Sequence, residues 1–169
     1  MRKFCFFLCC VLIVAQFAGC SHKDDEIQQP VNLYYINKEI SYNSPEGVIC
    51  YEIREGAQLH NLFDLLCAYL EGPVSSHLQS FIPNGVTVQS CFVENDTAYI
   101  HFSSQFSELS GIKLITACSA LLLTAHDYCD VQSVCIQAES SKLDDKDEFI
   151  LSLDEIVLMD LVTSEEQKE

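Results

Sequence analysis

An apolar run over residues 4–15 constrains this chain more than any other feature, because it decides which residues remain to fold and where. The basic residues 2–3 precede the run, and small residues at 18–19 stand directly before Cys20. A basic start, an apolar centre and small residues at the end are the three parts of a secretory signal peptide. We therefore expect residues 1–19 to be a targeting segment and the rest to fold outside the cytoplasm.

Cys20 suggests a specific chemistry for the cleavage site. Residues 17–20, Phe-Ala-Gly-Cys, resemble the lipobox of bacterial lipoproteins, whose cysteine forms a thioether with diacylglycerol. The resemblance implies cleavage between Gly19 and Cys20, with lipid on Cys20 holding the protein at the outer face of the cytoplasmic membrane. A plain signal peptide and an uncleaved anchor are the alternatives. The apolar run is shorter than the roughly 18 residues that span a bilayer.

The remaining chain divides by composition. Residues 20–30 are polar and end in proline, which predicts a tether that buries too little apolar surface to fold. We expect one domain over residues 31–162 and a frayed tail over 163–169. The chain has 9 Lys and Arg against 25 Asp and Glu, a formal charge of −16, and losing both signal-peptide cations would make it −18. So acidic a protein is not expected to bind nucleic acid or an anionic lipid surface.

Six of the 10 cysteines lie beyond the signal segment and Cys20. Their export invites disulfides, with Cys129 and Cys135 the nearest candidate pair. Against this, Cys67 and Cys118 fall on apolar faces of predicted helices, where a free thiol packs as a small hydrophobe. No C-x-x-C pair or zinc spacing is present. We favour mostly free, buried thiols and expect neither metal nor cofactor.

The apolar periodicity predicts the order β-β-α-β-β-α-β. Two β-rich runs over 31–37 and 48–53 flank a turn at 44–47. Two amphipathic helices are predicted from apolar residues at helical spacing. The buried stripe of the first is Leu59, Leu62, Phe63, Leu66, Cys67 and Leu70. The buried stripe of the second is Leu114, Ile115, Cys118, Leu122 and Ala125. Between them, a hairpin over 86–102 turns at Asn95-Asp96, with Val86, Val88, Ser90 and Phe92 on one face. Strands are predicted over 131–138 and 149–153.

Helices with one apolar stripe and strands with one apolar face pack as layers. The order therefore predicts an α+β fold, a two-layer mixed β-sheet with two helices packed on one face.

Four segments together resemble the GerMN domain of sporulation and spore germination proteins. They are the helix end Leu-Leu-Cys-Ala-Tyr-Leu-Glu-Gly-Pro at 65–73, the turn Ser-Phe-Ile-Pro-Asn-Gly-Val at 80–86, the strand Asp-Thr-Ala-Tyr-Ile-His-Phe-Ser-Ser-Gln-Phe at 96–106, and Val-Gln-Ser-Val-Cys-Ile-Gln at 131–137. The likeness spans nearly the whole predicted domain. It implies a non-enzymatic, lipid-anchored envelope protein that contacts another protein, with self-association as a further option. The alternative is an exported cell-wall-associated enzyme or ligand-binding receptor.

Weak catalytic and metal-binding patterns favour structural interpretations. Ser110 and Lys113 match S-x-x-K, but the S-D-N and K-T-G partners are absent, so we expect a helix N-cap. His126, Asp127 and Asp130 form a polar corner at a helix end rather than a metal site. The acidic run over 144–148 lacks the glycine and distant glutamate of a calcium loop. Most aromatic residues, Phe92 and Tyr99 among them, are expected in the core. Phe81, in a loop, is expected to pack into the core, and an exposed contact with a partner is the alternative.

Overall fold

The computed structural model describes residues 30–40, 48–55 and 59–156, which form seven strands and two helices. The strands are β1 (Val31–Asn37), β2 (Ile49–Arg54), β3 (Leu78–Gln79), β4 (Val88–Glu94), β5 (Thr97–Phe102), β6 (Ser133–Ala138) and β7 (Phe149–Ser152). The helices are α1 (Leu62–Leu70) and α2 (Gly111–Cys129), with short 3-10 turns at Ser104–Glu108 and Leu153–Glu155. The predicted α+β class is confirmed, and β3 is a short addition to the predicted order.

The strands lie in two sheets, which corrects the single mixed sheet predicted from the sequence. One sheet has the order β4-β5-β6-β7 and is mixed, because β5 and β6 run parallel while its other pairs are antiparallel. The other has the order β2-β1-β3 and is antiparallel. A second sheet forms because α2 has apolar residues on several sides and must be covered on more than one of them.

Helix α2 is the centre of the core. Its residues 116–125 are all buried, which is more than two full turns without an exposed side chain. The helix packs against β1 of one sheet and against β6 and β7 of the other. Ile115, predicted on the buried stripe, is instead 41% exposed. Buried hydroxyls are satisfied within the helix, since Thr116, Ser119 and Thr124 each donate to the carbonyl four residues earlier.

Thr124 also joins α2 to β1. The backbone N–H of Tyr34 donates to its Oγ1 over 3.0 Å. This N–H belongs to a strand yet is paired with a helix side chain, so one hydroxyl satisfies a backbone donor and fixes the helix beside the strand. The contact explains why a threonine occupies a fully buried position.

Helix α1 uses a different face from the predicted one. Asn61 caps its start by accepting from the Asp64 N–H at 2.9 Å. Phe63 and Cys67, predicted as buried, are exposed, and the true buried stripe is Leu62, Leu65, Leu66 and Tyr69. This face of α1 is turned towards the core because the ring of Tyr69 stacks on Tyr35 of β1, with 4.7 Å between centroids.

A carboxylate and a guanidinium on β2 hold the end of α1. Glu52 accepts from the backbone N–H groups of Val74 and Ser75 and pairs with Arg54 at 2.8 Å. Arg54 donates in turn to the carbonyls of Ala68 and Gly72. A carbonyl in the last turn of the helix and one just beyond its end are thus bound by a cation.

Several predicted segments fall outside the described residues. These are the signal segment at 1–19, most of the tether at 20–30, the turn at 44–47 and the tail at 163–169. Among residues 30–40, 48–55 and 59–156, the structure has no helix that is both long and apolar enough to span a membrane.

Replacing Thr124 with valine should lower the free energy of unfolding by about 1–2 kcal/mol, because the Tyr34 N–H loses its acceptor. Thr116→Val is the matched control, since Thr116 is equally buried in α2 and its hydroxyl donates to the Ile112 carbonyl within the same helix. Urea denaturation followed by circular dichroism measures both. Equal losses in the two variants would contradict the role of Thr124 in holding β1.

Glu52 should contribute a pH-dependent part of the stability. Burial opposes its ionisation, but the N–H groups of Ser75 and Val74 and the Arg54 guanidinium outweigh burial, so its pKa lies below the ordinary 4.5. Because the pKa is lower in the folded than in the unfolded chain, the stabilisation is present above pH 4.5 and is lost as the pH falls below that value.

Glu52→Gln should therefore flatten the acid side of the stability profile, as measured by urea midpoints between about pH 6 and about pH 3. Glu108→Gln, at an exposed position, serves as the control and should leave the profile unchanged. The assignment fails if the Glu52→Gln and parent curves run parallel.

Candidate protein-interaction surface

The four-stranded sheet has one covered face and one open face. On β5, Ala98, Ile100 and Phe102 are buried at 0–2% exposure and face the core. The residues between them point to the opposite side, because side chains alternate along a strand. No described element packs over this second side, which we call the outer face.

An apolar row crosses the outer face from edge to edge. Tyr99 of β5 lies opposite Phe92 of β4 and Cys135 of β6, and Cys135 lies opposite Ile150 of β7. Phe92 and Ile150 are 55% and 58% exposed. The rings of Phe92 and Tyr99 are stacked with 4.8 Å between centroids. We call these four residues the outer apolar row.

A β-bulge brings Phe92 to the outer face. The sequence places Val86, Val88, Ser90 and Phe92 on one face by simple alternation, and this prediction is wrong. The pairing with β5 shifts between Val88 and Ser90, so that Gln89 has no partner. One extra residue reverses the side on which later side chains fall. Val88 is consequently buried, and Phe92 faces outward rather than into the core as predicted.

Cys135 fills the middle of the row as a protonated thiol. The residue is 3% exposed, and its Sγ donates to Oε2 of Glu148 at 3.5 Å. Burial, with the neighbouring Glu148 carboxylate, raises the pKa of this thiol to about 11. At neutral pH it is therefore an apolar, weakly reactive group between the Tyr99 and Ile150 side chains.

Carboxylates stand around the outer apolar row. Glu94 ends β4 on the same face as Phe92. Glu148 accepts from Gln137 as well as from Cys135, and both of these side chains point outward. Glu155 accepts from Ser152, two residues beyond Ile150, at 3.0 Å. We call Glu94, Glu148 and Glu155 the acidic corners.

A polar pocket adjoins the row. It measures about 370 Å³ and is lined by His101, Gln137, Ala138, Ser140, Ser141, Lys142 and Asp147. His101 and Gln137 belong to the outer face, next to Tyr99 and Cys135 along their strands. Within the pocket, Lys142 lies 3.8 Å from Asp147. The outer face therefore combines an apolar centre with polar and mainly acidic surroundings.

The S-x-x-K residues have structural roles. Ser110 occupies the N-cap position of α2, as predicted, although its side chain makes no capping bond. The carboxylate of Asp144, from the acidic run, accepts instead from the Gly111 N–H at 3.1 Å. The ammonium of Lys113 lies 5.9 Å from the ring centre of Phe81, which is half-buried against the core. The ammonium of Lys113 therefore neighbours an aromatic ring.

The polar corner at the C-terminal end of α2 stabilises the turn that leads from the helix into β6. His126 Nδ1 is 2.8 Å from the carbonyl oxygen of Val131, and Asp130 adopts a left-handed conformation that ends the helix. Asp127 faces the other way and accepts from Asn32 and Tyr34 on β1. Among the described residues, no three His, Cys, Asp or Glu side chains are arranged to hold a metal ion.

All six cysteines of the described residues are free. Cys118 and Cys135 are buried, whereas Cys67, predicted as buried, is exposed. Cys129, considered for a bridge with Cys135, donates to the Ala125 carbonyl. The predicted lipid site at Cys20 and the cleavage residue Gly19 lie outside the described residues.

The sequence reasoning missed the exposed members of the outer apolar row. It assigned Phe92 and Tyr99 to the core and gave no role to Ile150. One signal was available, because the consecutive polar residues Gln89 and Ser90 interrupt the alternation of β4 where the bulge occurs.

Comparisons with known proteins agree with the fold. The chain is 15% identical to the tandem GerMN domains of the sporulation protein GerM from Bacillus subtilis, with a TM-score of 0.57. The alignment covers 79% of this chain and 49% of that structure. It is 19% identical to the first GerMN domain of that protein, with a TM-score of 0.53. Here the alignment covers 68% of this chain and 86% of that structure. The chain thus spans about half of the tandem structure.

None of the curated proteins matches the sequence significantly. The sequence profile of the family described as "Germane: Sporulation and spore germination" matches residues 32–144, which include both helices and strands β1 to β6. The chain therefore belongs to the Germane family of sporulation and spore germination domains.

Proposed function

We propose that this protein is a lipid-anchored extracytoplasmic binding domain without catalytic activity, which contacts another protein of the cell envelope during sporulation or germination. The outer apolar row is the observation that carries the proposal. Large apolar side chains exposed together on a sheet face are typical of protein-contact surfaces. Aromatic residues such as Phe92 and Tyr99 are also enriched among those that contribute most to binding.

The sequence around Cys20 supports the anchor. The basic, apolar and small-residue segments before it match a signal peptide, and its thiol would carry the lipid. A tether of about eleven residues would reach roughly 35–40 Å when fully extended. The domain would therefore remain close to the membrane, where a covalent lipid holds an acidic protein that anionic headgroups repel.

The polar pocket favours a second candidate function, a receptor for cell-wall material. Its lining of histidine, glutamine, serine and lysine could donate hydrogen bonds to a polar ligand. The ion pair of Lys142 with Asp147 leaves little net charge there, so a neutral, hydroxyl-rich ligand such as a glycan fragment would fit better than a charged one.

Cys20→Ala should release the protein from the membrane fraction while leaving its unfolding transition unchanged, because the lipid acceptor lies outside the domain. Fractionation followed by immunoblotting measures the distribution, and Ser21→Ala serves as the matched control. Continued membrane association of Cys20→Ala would instead support the uncleaved anchor.

A photo-reactive residue placed at Ile150 should crosslink to a partner protein in cells, because Ile150 lies at the open end of the outer apolar row. The same residue at Val74, which is 83% exposed and whose N–H is bound to Glu52 of the other sheet, serves as the control and should not form a crosslink. Absence of any adduct from Ile150, together with binding of purified protein to peptidoglycan fragments, would favour the receptor.

A further inference from the structure

We propose that the outer face binds a basic protein segment, in which an aliphatic or aromatic residue is flanked by lysine or arginine. The inference rests on the proposed function, since it assigns a chemical class to the partner at the same surface. It follows from two independent features of the described residues, which are the outer apolar row and the acidic corners.

The row is suited to receive one apolar side chain. Stacking on Tyr99 holds the Phe92 ring in place, so little conformational freedom remains to be lost on binding. The buried thiol of Cys135 leaves a low floor between Tyr99 and Ile150, because Ile150 is 58% exposed and Cys135 only 3%. An aliphatic or aromatic group from a partner would contact Ile150 on one side and, on the other, the Tyr99 ring on which Phe92 is stacked.

The acidic corners determine the charge of the flanking residues. Glu94 lies at the β4 edge of the row, whereas Glu148 and Glu155 lie towards its β7 end. Lys142, in the adjoining pocket, is already paired with Asp147. A cation placed on either side of the bound apolar group would therefore meet a carboxylate, and the overall charge of −16 would speed its approach.

The same charges disfavour a second copy of this chain as the occupant. Two outer faces brought together would place the acidic corners of one copy close to those of the other, in an assembly that doubles the net charge. Like charges at an interface oppose association. They also disfavour an anionic lipid surface as the occupant, which leaves a basic segment as the fitting partner.

Three fluorescein-labelled synthetic heptapeptides test the proposal. The first has Leu-Phe-Leu between paired lysines, the second replaces the lysines with glutamates, and the third replaces the apolar centre with Ser-Gly-Ser. Binding to the full chain in a zwitterionic detergent is followed by fluorescence anisotropy. The first peptide should bind, and the other two should bind at least about tenfold more weakly. Its affinity should also fall as salt is added, because salt screens the exposed carboxylates.

Variants localise the binding to the outer face. Phe92→Ser should weaken binding of the first peptide by about tenfold, because it removes an exposed aromatic surface and the ring that holds Tyr99 in place. Glu94→Gln and Glu148→Gln should each weaken it by about threefold at low salt. Ile53→Ser is the apolar control, because Ile53 is 65% exposed on β2 of the other sheet, and Glu108→Gln is the charge control. Neither control should change the affinity.

Ile150→Ser provides a second route if Phe92→Ser fails to fold, since Ile150 is even more exposed. Equal binding of the lysine and glutamate peptides, or equal losses in row and control variants, would overturn the proposal. A stable homodimer that Phe92→Ser dissociates would also overturn it, and sedimentation velocity would show this. If the peptides fail while Ile150 still crosslinks to a protein in cells, the proposed function survives and only the basic-segment inference falls.

Discussion

The fold depends on covering α2 on several sides at once. A helix with ten consecutive buried residues cannot be stable against one sheet, because half of its surface would remain in water. Both sheets contact it, and the Thr124 hydroxyl ties it to a backbone donor of β1. Neither sheet can therefore keep its own packing if α2 leaves, and this makes the domain one cooperative unit. The four-stranded sheet covers α2 with its inner face, so its outer face remains available for contacts with a partner.

Much of the fold could be predicted from local patterns. Alternation and turn residues located the main strands and both helices, since such signals act within a few residues along the chain. The division into two sheets could not be predicted, because the local sequences of β1 and β2 do not specify which strands they pair with. The predicted buried face of α1 was rotated by one residue from the observed face, for a related reason. Its orientation follows the stacking of Tyr69 on Tyr35, a contact between residues far apart in sequence.

The candidate site was harder to predict than the fold. Membership of the Germane family could be recognised from four short segments, because turns and strand ends keep their local chemistry. The outer apolar row could not, since Phe92, Tyr99, Cys135 and Ile150 come from four strands and meet only through pairing across the sheet. Apolar residues on an open face also match the pattern of a core strand. Exposure, which distinguishes the two, is a property of the assembled sheet.

The bulge at Gln89 affects how relatives should be compared. The side chains of β4 that reach the outer face are determined by counting back from the turn at Asn95-Asp96, not forward from Val86. In a relative without the extra residue, an alignment that places the gap away from the bulge would pair residues that face opposite sides of the sheet at every column between the gap and the bulge. Binding preferences inferred from aligned columns would then be assigned to buried positions. The outer faces of relatives should therefore be compared by which residues pair across the sheet, not by their columns in a sequence alignment.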